Sequence, residues 1–278
     1  MCALNLGIVD YLNCFPLLYP LQKQDLLFAN IVKGAPTTLN TKFLQGELDI
    51  TPISSIEYAR HAGECFILPD VSIAADGKVL SILLVSKYPI NKLQGKTVAL
   101  TSSSATSIGL LKILLKIDCG INVNYITMAP NLNAMLEKAD AALLIGDDAL
   151  RYGLGYQDGY VYDLGELWKE MTGYPMVYAL WVMKQDFALT HKTQVQEVSA
   201  TMQKAKQWAL KNKEILLAQA QKVYDFTPEL LEKYYETIKY DFDVQYQRAV
   251  LTYFSFAVKA GVLAEVPELK IWGTSHAS

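Results

Sequence analysis

Short apolar runs alternate with helix-like stretches over the first two thirds of this chain. Leu4–Val9 and Ala141–Ile145 are brief and almost wholly apolar, which is typical of buried strands. Leu132–Lys138 has apolar residues at helical spacing instead. From Thr190 onwards the pattern is almost entirely helical. The alternation predicts an α/β fold, followed by a helical tail.

The same pattern gives approximate limits for each element. Alternation of this kind favours largely parallel sheets. Ser54 and Glu57 have the spacing of a capping box, so we expect a helix to begin there. The predicted strands are 4–9, 28–33, 48–53, 72–75, 79–86, 98–101, 123–126, 141–145, 160–164 and 176–183. The predicted helices are 14–21, 37–45, 54–61, 106–117, 132–138, 190–223, 228–240 and 243–260.

The alternation occurs twice, which predicts two lobes. A chain of 278 residues exceeds the size at which one core usually keeps growing. We predict a discontinuous first lobe of residues 1–85 and 184–278, and a second lobe of residues 86–183. Extended runs near 79–87 and 176–185 would connect the lobes. Ligands of open α/β lobes bind beyond the carboxyl ends of strands, so the cleft between the lobes is the expected site.

A hydroxyl-rich turn stands out between a predicted strand and a predicted helix. Such a turn directs side-chain O–H groups and free backbone N–H groups at one point, which favours an anion. A single serine would suffice to cap the helix, and capping is the simpler alternative. More hydroxyls are present than capping requires. They belong to Ser102, Ser103, Ser104, Thr106 and Ser107.

Charge and cysteine content narrow the classes of function. The net charge is −3 with no basic tract, which argues against a nucleic-acid partner. The chain contains three arginines, so an anionic ligand would depend on hydroxyls and backbone N–H groups. Four scattered cysteines form no pair with metal-binding spacing, which suits a reducing cytoplasm. We expect no signal peptide, no membrane-spanning segment and no metal.

Common catalytic motifs are missing from the sequence. There is no G-x-G-x-x-G after a strand and no G-x-x-x-x-G-K-[ST], so nucleotide binding has no support. The three histidines fall at predicted helix ends or in the tail, where exposure is the simpler interpretation. Cys14 has no neighbour in sequence that would activate its thiol, so a small buried thiol is the better interpretation.

Polar residues that follow predicted strands are the remaining candidates. Ser81 interrupts an apolar run and needs a hydrogen-bond partner if it is buried. Asn13, Ser54 and Asp147 each follow a strand, although each also has the alternative of capping a helix. Besides the hydroxyl-rich turn and Ser81 in the first connecting run, the candidates are Asn13, Ser54, Ser55, Gly146, Asp147 and Asp148.

The order of these motifs resembles a known enzyme family. Val9-Asp-Tyr-Leu-Asn-Cys-Phe-Pro-Leu-Leu18 is similar to the YLN-x-x-PL signature of chorismate dehydratases in the futalosine route to menaquinone. Asp10 departs from the small residue that many relatives have there. A sister family, the 1,4-dihydroxy-6-naphthoate synthases, begins with a different signature that this chain lacks. Further matching segments are 46–50, 54–58, 68–70, 72–75, 79–81, 102–107 and 144–147.

The resemblance implies a fold, a reaction and roles for particular residues. The fold is that of type II periplasmic binding proteins, with two lobes around a cleft. The reaction is dehydration of chorismate to 3-[(1-carboxyvinyl)oxy]benzoate without a cofactor. Asn13 and Ser81 would orient the reacting part of the substrate, and the substrate's own carboxylate or Asp147 would accept the proton. Residues expected to contact the substrate are Tyr11, Ser54, Ser55, Ser103, Ser104, Thr106, Ser107 and Gly146.

Two rival functions use similar folds. A non-catalytic binding protein for a small anionic solute needs the same anion-binding turn, although no signal peptide is expected here. The ligand-sensing half of a transcriptional regulator would need a DNA-binding module before residue 1. The expected partner is therefore the small molecule chorismate, with no nucleic acid and no membrane. The sequence leaves open whether the protein is a monomer or a homodimer.

Overall fold

Two mixed β-sheets form the framework of the protein. The computed structural model describes residues 4–23, 29–101 and 104–273. The strands of the first sheet are β1 Leu4–Val9, β2 Ala29–Gly34, β3 Ile50–Ser54, β4 Cys65–Ala75, β10 Met176–Lys184 and β11 Ile238–Lys239. Those of the second are β5 Ile82–Ser86, β6 Thr97–Thr101, β7 Asn124–Met128, β8 Ala141–Ile145 and β9 Tyr160–Asp163. The first sheet has the strand order β11-β4-β10-β3-β1-β2, and the second has the order β7-β6-β8-β5-β9.

Helices connect the strands and complete the C-terminal part. A 3₁₀ turn, Leu12–Cys14, precedes the first helix. The helices are α1 Phe15–Lys23, α2 Pro36–Leu44, α3 Ser55–His61, α4 Ala105–Ile113, α5 Leu132–Lys138, α6 Gly146–Asp148, α7 Leu164–Thr172, α8 Gln185–Thr190, α9 Lys192–Lys211, α10 Lys213–Val223, α11 Pro228–Thr237 and α12 Val244–Lys259. Wider π-helical turns continue α4 over Leu114–Asp118 and α6 over Ala149–Gly153.

The prediction of largely parallel sheets is wrong, because both sheets are mixed. β1 pairs in parallel with β2 and β3, and β6 pairs in parallel with β7 and β8. β10, however, runs antiparallel to β3 and β4, and β5 runs antiparallel to β8 and β9. The reason is that β5 and β10 each follow a crossing between the sheets. Each of these two strands therefore begins at the cleft and runs away from it. The neighbouring strands end at the cleft, so the pairing is antiparallel.

The positions of the two crossings between the sheets can be compared with the predicted limits of the lobes. The chain passes from the first sheet to the second between β4 and β5, and returns between β9 and β10. Pairing therefore places β5 with the second sheet and β10 with the first. The division at residues 85 and 183 stays a prediction, and the pairing favours limits nearer to the two crossings.

Most predicted elements are present, although α7, α8 and β11 were not predicted, and three differences are informative. The strand predicted over 79–86 begins at Ile82, because the N–H groups of Val79 and Leu80 bond to the Asp163 carboxylate instead of a strand. The tail helix predicted over 190–223 is interrupted at His191 and again at Asn212. Helix α3 does begin at the predicted place, but its capping box does not form, since Ser54 makes no side-chain cap bond.

Helix α12 packs against both lobes. It lies on β10 of the first sheet and on α4 beside the second. The buried Tyr253 donates a hydrogen bond to the carbonyl oxygen of Thr106 at 3.0 Å. Trp168 of α7 contacts Tyr253 and Phe256 edge-on. The C-terminal helix is thus a third connection between the lobes, in addition to the two crossings.

Candidate active site

A cavity of about 450 Å³ lies between the two sheets, at the carboxyl ends of the parallel strands. The last residues of β1, β3 and β8 contribute to its wall, as the position of ligand sites in open α/β folds predicts. The sequence-predicted residues that line it are Tyr11, Asn13, Ser54, Ser81, Ser104, Ser107 and Gly146. Ser55, Thr106 and Asp147 are outside the set of wall residues, and Ser102 and Ser103 lie outside the described part of the chain.

The hydroxyl-rich turn contributes Ser104 and Ser107 to the cavity wall. Ser104 is the N-cap of α4, and its Oγ accepts the Ser107 N–H at 3.3 Å. The two Oγ atoms are also 2.8 Å apart and share a hydrogen bond. Ser104 therefore caps the helix and lines the cavity as well, so the two interpretations of this turn are compatible. The pair can present an O–H group to an anion at the start of the helix.

Ser81 is held in the wall by an unusual backbone conformation. The preceding Leu80 has φ +63°, a left-handed value that is unfavourable for a branched side chain. The Asp163 carboxylate fixes this conformation by accepting the N–H groups of Val79 at 3.0 Å and Leu80 at 2.7 Å. The Gly146 N–H bonds to the Ser81 carbonyl at 2.7 Å. The backbone on both sides of the serine is thereby anchored to the second lobe.

Asn13 reaches the cavity from the 3₁₀ turn after β1. The Tyr240 hydroxyl donates to its backbone carbonyl at 2.7 Å. The side-chain Oδ1 is buried and has no partner among the described residues. Buried amide groups usually find a partner, so this one is suited to receive a ligand.

Gly146 and Tyr11 meet across the cleft. Gly146 has φ +58°, and a Cβ atom there would lie 3.4 Å from the Tyr11 ring. A larger residue would be strained in this conformation and would press on the ring. The glycine thus allows the two lobes to approach each other beside the cavity.

Several predicted site residues form hydrogen bonds within the framework instead of facing the cavity. The Ser55 hydroxyl donates to the Val177 carbonyl at 2.7 Å and so attaches α3 to β10. Thr106 Oγ1 accepts the Ile56 N–H at 3.0 Å, which joins α4 to α3 across the two lobes. Ser54, by contrast, lines the cavity, and its buried Oγ has no partner among the described residues.

Asp147 also bridges the lobes. Its Oδ1 accepts the Leu12 N–H at 3.3 Å, at the start of the 3₁₀ turn that carries Asn13. Burial raises the pKa of the Asp147 carboxyl to about 6, and Asp148 and Asp10 add to this effect. The Leu12 N–H and Arg151 oppose it. The carboxyl can therefore change its protonation state near neutral pH, although its geometry is that of a backbone cap.

The cavity wall also contains residues that the sequence did not reveal. Helix α2 contributes Thr37, Asn40 and Thr41, which share one face of the helix, and β10 contributes Tyr178. The i, i+3, i+4 spacing of polar residues on α2 was an available signal.

The wall contains little formal charge. Among the described wall residues, Glu57 is the charged side chain, and it pairs with Arg60 outside the cavity. Within the same described part, no group of three His, Cys, Asp or Glu residues could hold a metal ion, and no helix is long and apolar enough to cross a membrane. Hydroxyl, amide and backbone groups are thus the means by which this wall can bind a ligand.

Comparison with known proteins decides the family. A family model described as menaquinone biosynthesis matches residues 4–259. The chain belongs to this menaquinone biosynthesis family. The resemblance in the sequence motifs is therefore confirmed at the level of the family.

Two relatives of this chain come from Thermus thermophilus. A chorismate dehydratase is 33% identical over 196 residues, which cover 65% of this chain and 70% of the relative. A 1,4-dihydroxy-6-naphthoate synthase is 26% identical over 241 residues, which cover 83% of this chain and 84% of that relative.

Solved structures with a similar fold confirm the predicted periplasmic-binding-protein architecture. A protein from Archaeoglobus fulgidus superposes with a TM-score of 0.78 at 20% identity, covering 94% of this chain and 98% of its own. The periplasmic aliphatic sulphonate binding protein of Escherichia coli gives a TM-score of 0.69 at 16% identity, covering 99% and 94%. At these identities the likeness concerns the fold alone.

Proposed function

We propose that this member of the menaquinone biosynthesis family is a chorismate dehydratase, a hydro-lyase that acts in the futalosine route. The reaction removes the ring hydroxyl and a neighbouring ring proton from chorismate, giving 3-[(1-carboxyvinyl)oxy]benzoate and water. The observation that carries the proposal is the interlobe cavity, whose wall contains both Asn13 and Ser81. The 33% identity to a chorismate dehydratase supports the choice of substrate.

The wall suits a substrate with two carboxylates. Ser104 and Ser107 would hold one carboxylate at the start of α4, where the helix N-terminus favours negative charge. Asn13 and Ser81 would orient the reacting part of the substrate from elsewhere in the cavity wall. Such an arrangement accelerates a reaction by positioning and by placing hydrogen-bond donors where charge develops.

The proton acceptor in this proposal is the enolpyruvyl carboxylate of the substrate. Aromatisation of the ring supplies much of the driving force, so a strong protein base is not needed. Asp147 is the alternative acceptor, but its carboxylate already accepts the Leu12 N–H and it is not among the wall residues. The reaction needs no redox cofactor, because the substrate loses water without net oxidation.

A cytoplasmic location belongs to the same proposal. The thiols of Cys14 and Cys65 are free and buried, which is compatible with a reducing compartment.

A non-catalytic small-anion binding protein is the second candidate. It is favoured by the structural similarity to the sulphonate binding protein of Escherichia coli. Equilibrium binding and turnover separate the two candidates. A dehydratase would consume bound chorismate, whereas a binding protein would release it unchanged after denaturation.

Asn13→Ala provides the test of the site itself. We expect kcat to fall by roughly 100-fold, because removal of one positioned hydrogen-bonding side chain has an effect of that size in other enzymes. Circular dichroism should show an unchanged fold, since the backbone carbonyl of residue 13 still accepts the Tyr240 hydroxyl. A turnover number equal to that of the wild type would remove Asn13 from the proposed site.

A further inference from the structure

The side chain behind Ser81 is a tyrosine from the C-terminal helices. Tyr234 lies on α11, is 1% exposed, and donates its hydroxyl proton to Ser81 Oγ at 2.9 Å. Ser81 itself is 4% exposed and lines the cavity. The two residues are 153 positions apart in the chain, and the contact joins the helical tail to the crossing between the sheets.

We propose that Tyr234 is a positioning residue that orients the Ser81 hydroxyl as a hydrogen-bond donor to the substrate. The inference rests on the proposed dehydratase function. It follows from the direction of a buried hydrogen bond and from the place of Ser81 in the cavity wall.

The direction of the Tyr234–Ser81 hydrogen bond determines which further hydrogen bonds the Ser81 hydroxyl can form. A serine hydroxyl has one proton to donate and two lone pairs that accept. Tyr234 uses one of the lone pairs, so the serine proton remains available. Among the residues that the structure describes, no acceptor for this proton is found. The open cavity is the remaining direction, and an oxygen atom of the substrate would be the acceptor.

The surroundings of Tyr234 keep its hydroxyl a donor. Burial raises the pKa of the phenol far above its ordinary range; the hydrogen bond with Ser81 opposes this effect, and the negative charge of Asp147 adds to it. The phenol is therefore protonated at neutral pH and has a proton to donate. The geometry of the contact directs this proton at Ser81 Oγ.

The backbone around Ser81 leaves little other freedom. Leu80 is fixed by the Asp163 carboxylate, and the Ser81 carbonyl accepts the Gly146 N–H. The remaining variable is rotation of the serine side chain and of its O–H bond. The Tyr234 hydroxyl restrains both, which reduces the entropy lost when the substrate binds in its reactive position.

Tyr234→Phe tests this role, because it removes the hydroxyl and keeps the ring. We expect kcat for chorismate to fall about tenfold, the rate equivalent of one hydrogen bond, while KM changes less than about twofold. Tyr58→Phe is the matched control. Tyr58 is equally buried, and its hydroxyl donates to the Glu268 carbonyl and accepts the Lys270 N–H, both away from the cavity. This control should leave kcat unchanged.

A double-mutant cycle separates positioning from general stability. In a Ser81→Ala background, Tyr234→Phe should have no further effect on kcat, because the hydroxyl that it orients is absent. A tenfold decrease in both backgrounds would contradict the inference and indicate a purely structural role. Wild-type kcat in the Tyr234→Phe single variant would also contradict it.

Two further outcomes are informative. If Tyr234→Phe does not fold, 3-fluorotyrosine at position 234 keeps the ring and strengthens the donor. We then expect a higher kcat with an unchanged KM, and an unaltered kcat would overturn the inference.

If the wild type does not convert chorismate at all, the proposed function and this inference both fail. Turnover by the wild type with no effect at position 234 refutes the inference alone.

Discussion

Single side chains around the cleft fall into two groups with different tasks. Asn13 and Ser81 line the cavity. Thr106 and Asp147 instead accept backbone N–H groups from the opposite lobe. Both groups consist of polar residues, and the sequence motifs do not distinguish them. Their tasks differ because one group faces the cavity, whereas the other forms hydrogen bonds with the backbone.

Asp147→Asn should make the protein more stable at neutral pH. The folded-state pKa of about 6 lies above the ordinary carboxyl value, so the protonated form is favoured in the folded protein. That contribution to stability is complete below about pH 4 and is lost as the pH rises through 6. The neutral amide avoids the cost, and its oxygen can still accept the Leu12 N–H. We expect a gain of about 1–2 kcal/mol at pH 7, allowing for partial exposure.

Thermal denaturation at pH 4 and at pH 7 measures this effect. The advantage of the variant should appear at pH 7 and shrink at pH 4, and Asp158→Asn, at an exposed position, should show no such change. Chorismate turnover by Asp147→Asn should stay within about fivefold of the wild type, a change in the barrier of about 1 kcal/mol or less, because the amide oxygen still accepts the Leu12 N–H. A decrease of roughly 100-fold would instead show that Asp147 accepts the proton.

The sequence could predict residue types at the site but not their partners. Asn13 and Gly146 follow strands, and strand ends meet at one edge of an α/β sheet, whereas Ser81 was found as a polar residue within an apolar run. The hydrogen bonds of Ser55 and Asp147 reach residues 122 and 135 positions away. Such contacts depend on how the lobes close, which has no local signature in the chain.

At the scale of elements, the junction of β9 and α7 stabilises the first crossing, which is the segment between β4 and β5. Asp163 caps α7 by accepting the N–H groups of Gly165 and Glu166. The same carboxylate accepts the N–H groups of Val79 and Leu80. One buried side chain thus determines where the helix begins and stabilises the left-handed residue before Ser81.

Asp163→Asn should weaken the crossing while it preserves the helix cap. The amide oxygen can still accept from the start of α7, but its NH₂ group would face the Leu80 N–H, and two donors repel. We expect a loss of about 2–4 kcal/mol in the free energy of unfolding and a decrease in kcat. The measurements are chemical denaturation and chorismate turnover.

Asp243→Asn is the matched control for this change. Asp243 caps α12 through Gln245 and Tyr246 but binds no crossing segment, and asparagine is an equally good cap. Equal effects of the two substitutions would contradict a special role for Asp163.

The apolar pattern predicted most elements, because burial imposes the period of each strand and helix. Strand β8 and helix α5 have the predicted limits. Strand direction was not predictable in the same way. β5 and β10 are apolar runs like any other, and their antiparallel pairing depends on the crossings that precede them.

At the scale of the whole molecule, the two lobes are held together around the cavity by the crossings, by α12 and by direct hydrogen bonds. The bond from the Ile56 N–H to Thr106 Oγ1 joins the N-terminal turns of α3 and α4. These turns carry Ser54 and Ser104, which line the cavity. The approach of the lobes and the shape of the site are therefore coupled.

Thr106→Val should favour a more open arrangement. Valine has nearly the same shape but cannot accept the Ile56 N–H, whereas Thr106→Ser retains the hydroxyl. We expect a KM for chorismate raised by about five- to tenfold in the valine variant, because binding must first close the lobes. Small-angle X-ray scattering should show a larger radius of gyration without substrate. Equal KM values for the valine and serine variants would contradict this coupling.

The most direct test of the account is incubation of the purified protein with chorismate alone. Ultraviolet absorption and mass spectrometry would follow the product. We predict an aromatic compound lighter than chorismate by one water, with the enolpyruvyl ether intact. Chorismate recovered unchanged after prolonged incubation with folded protein would contradict the proposed dehydratase function and favour a binding protein instead.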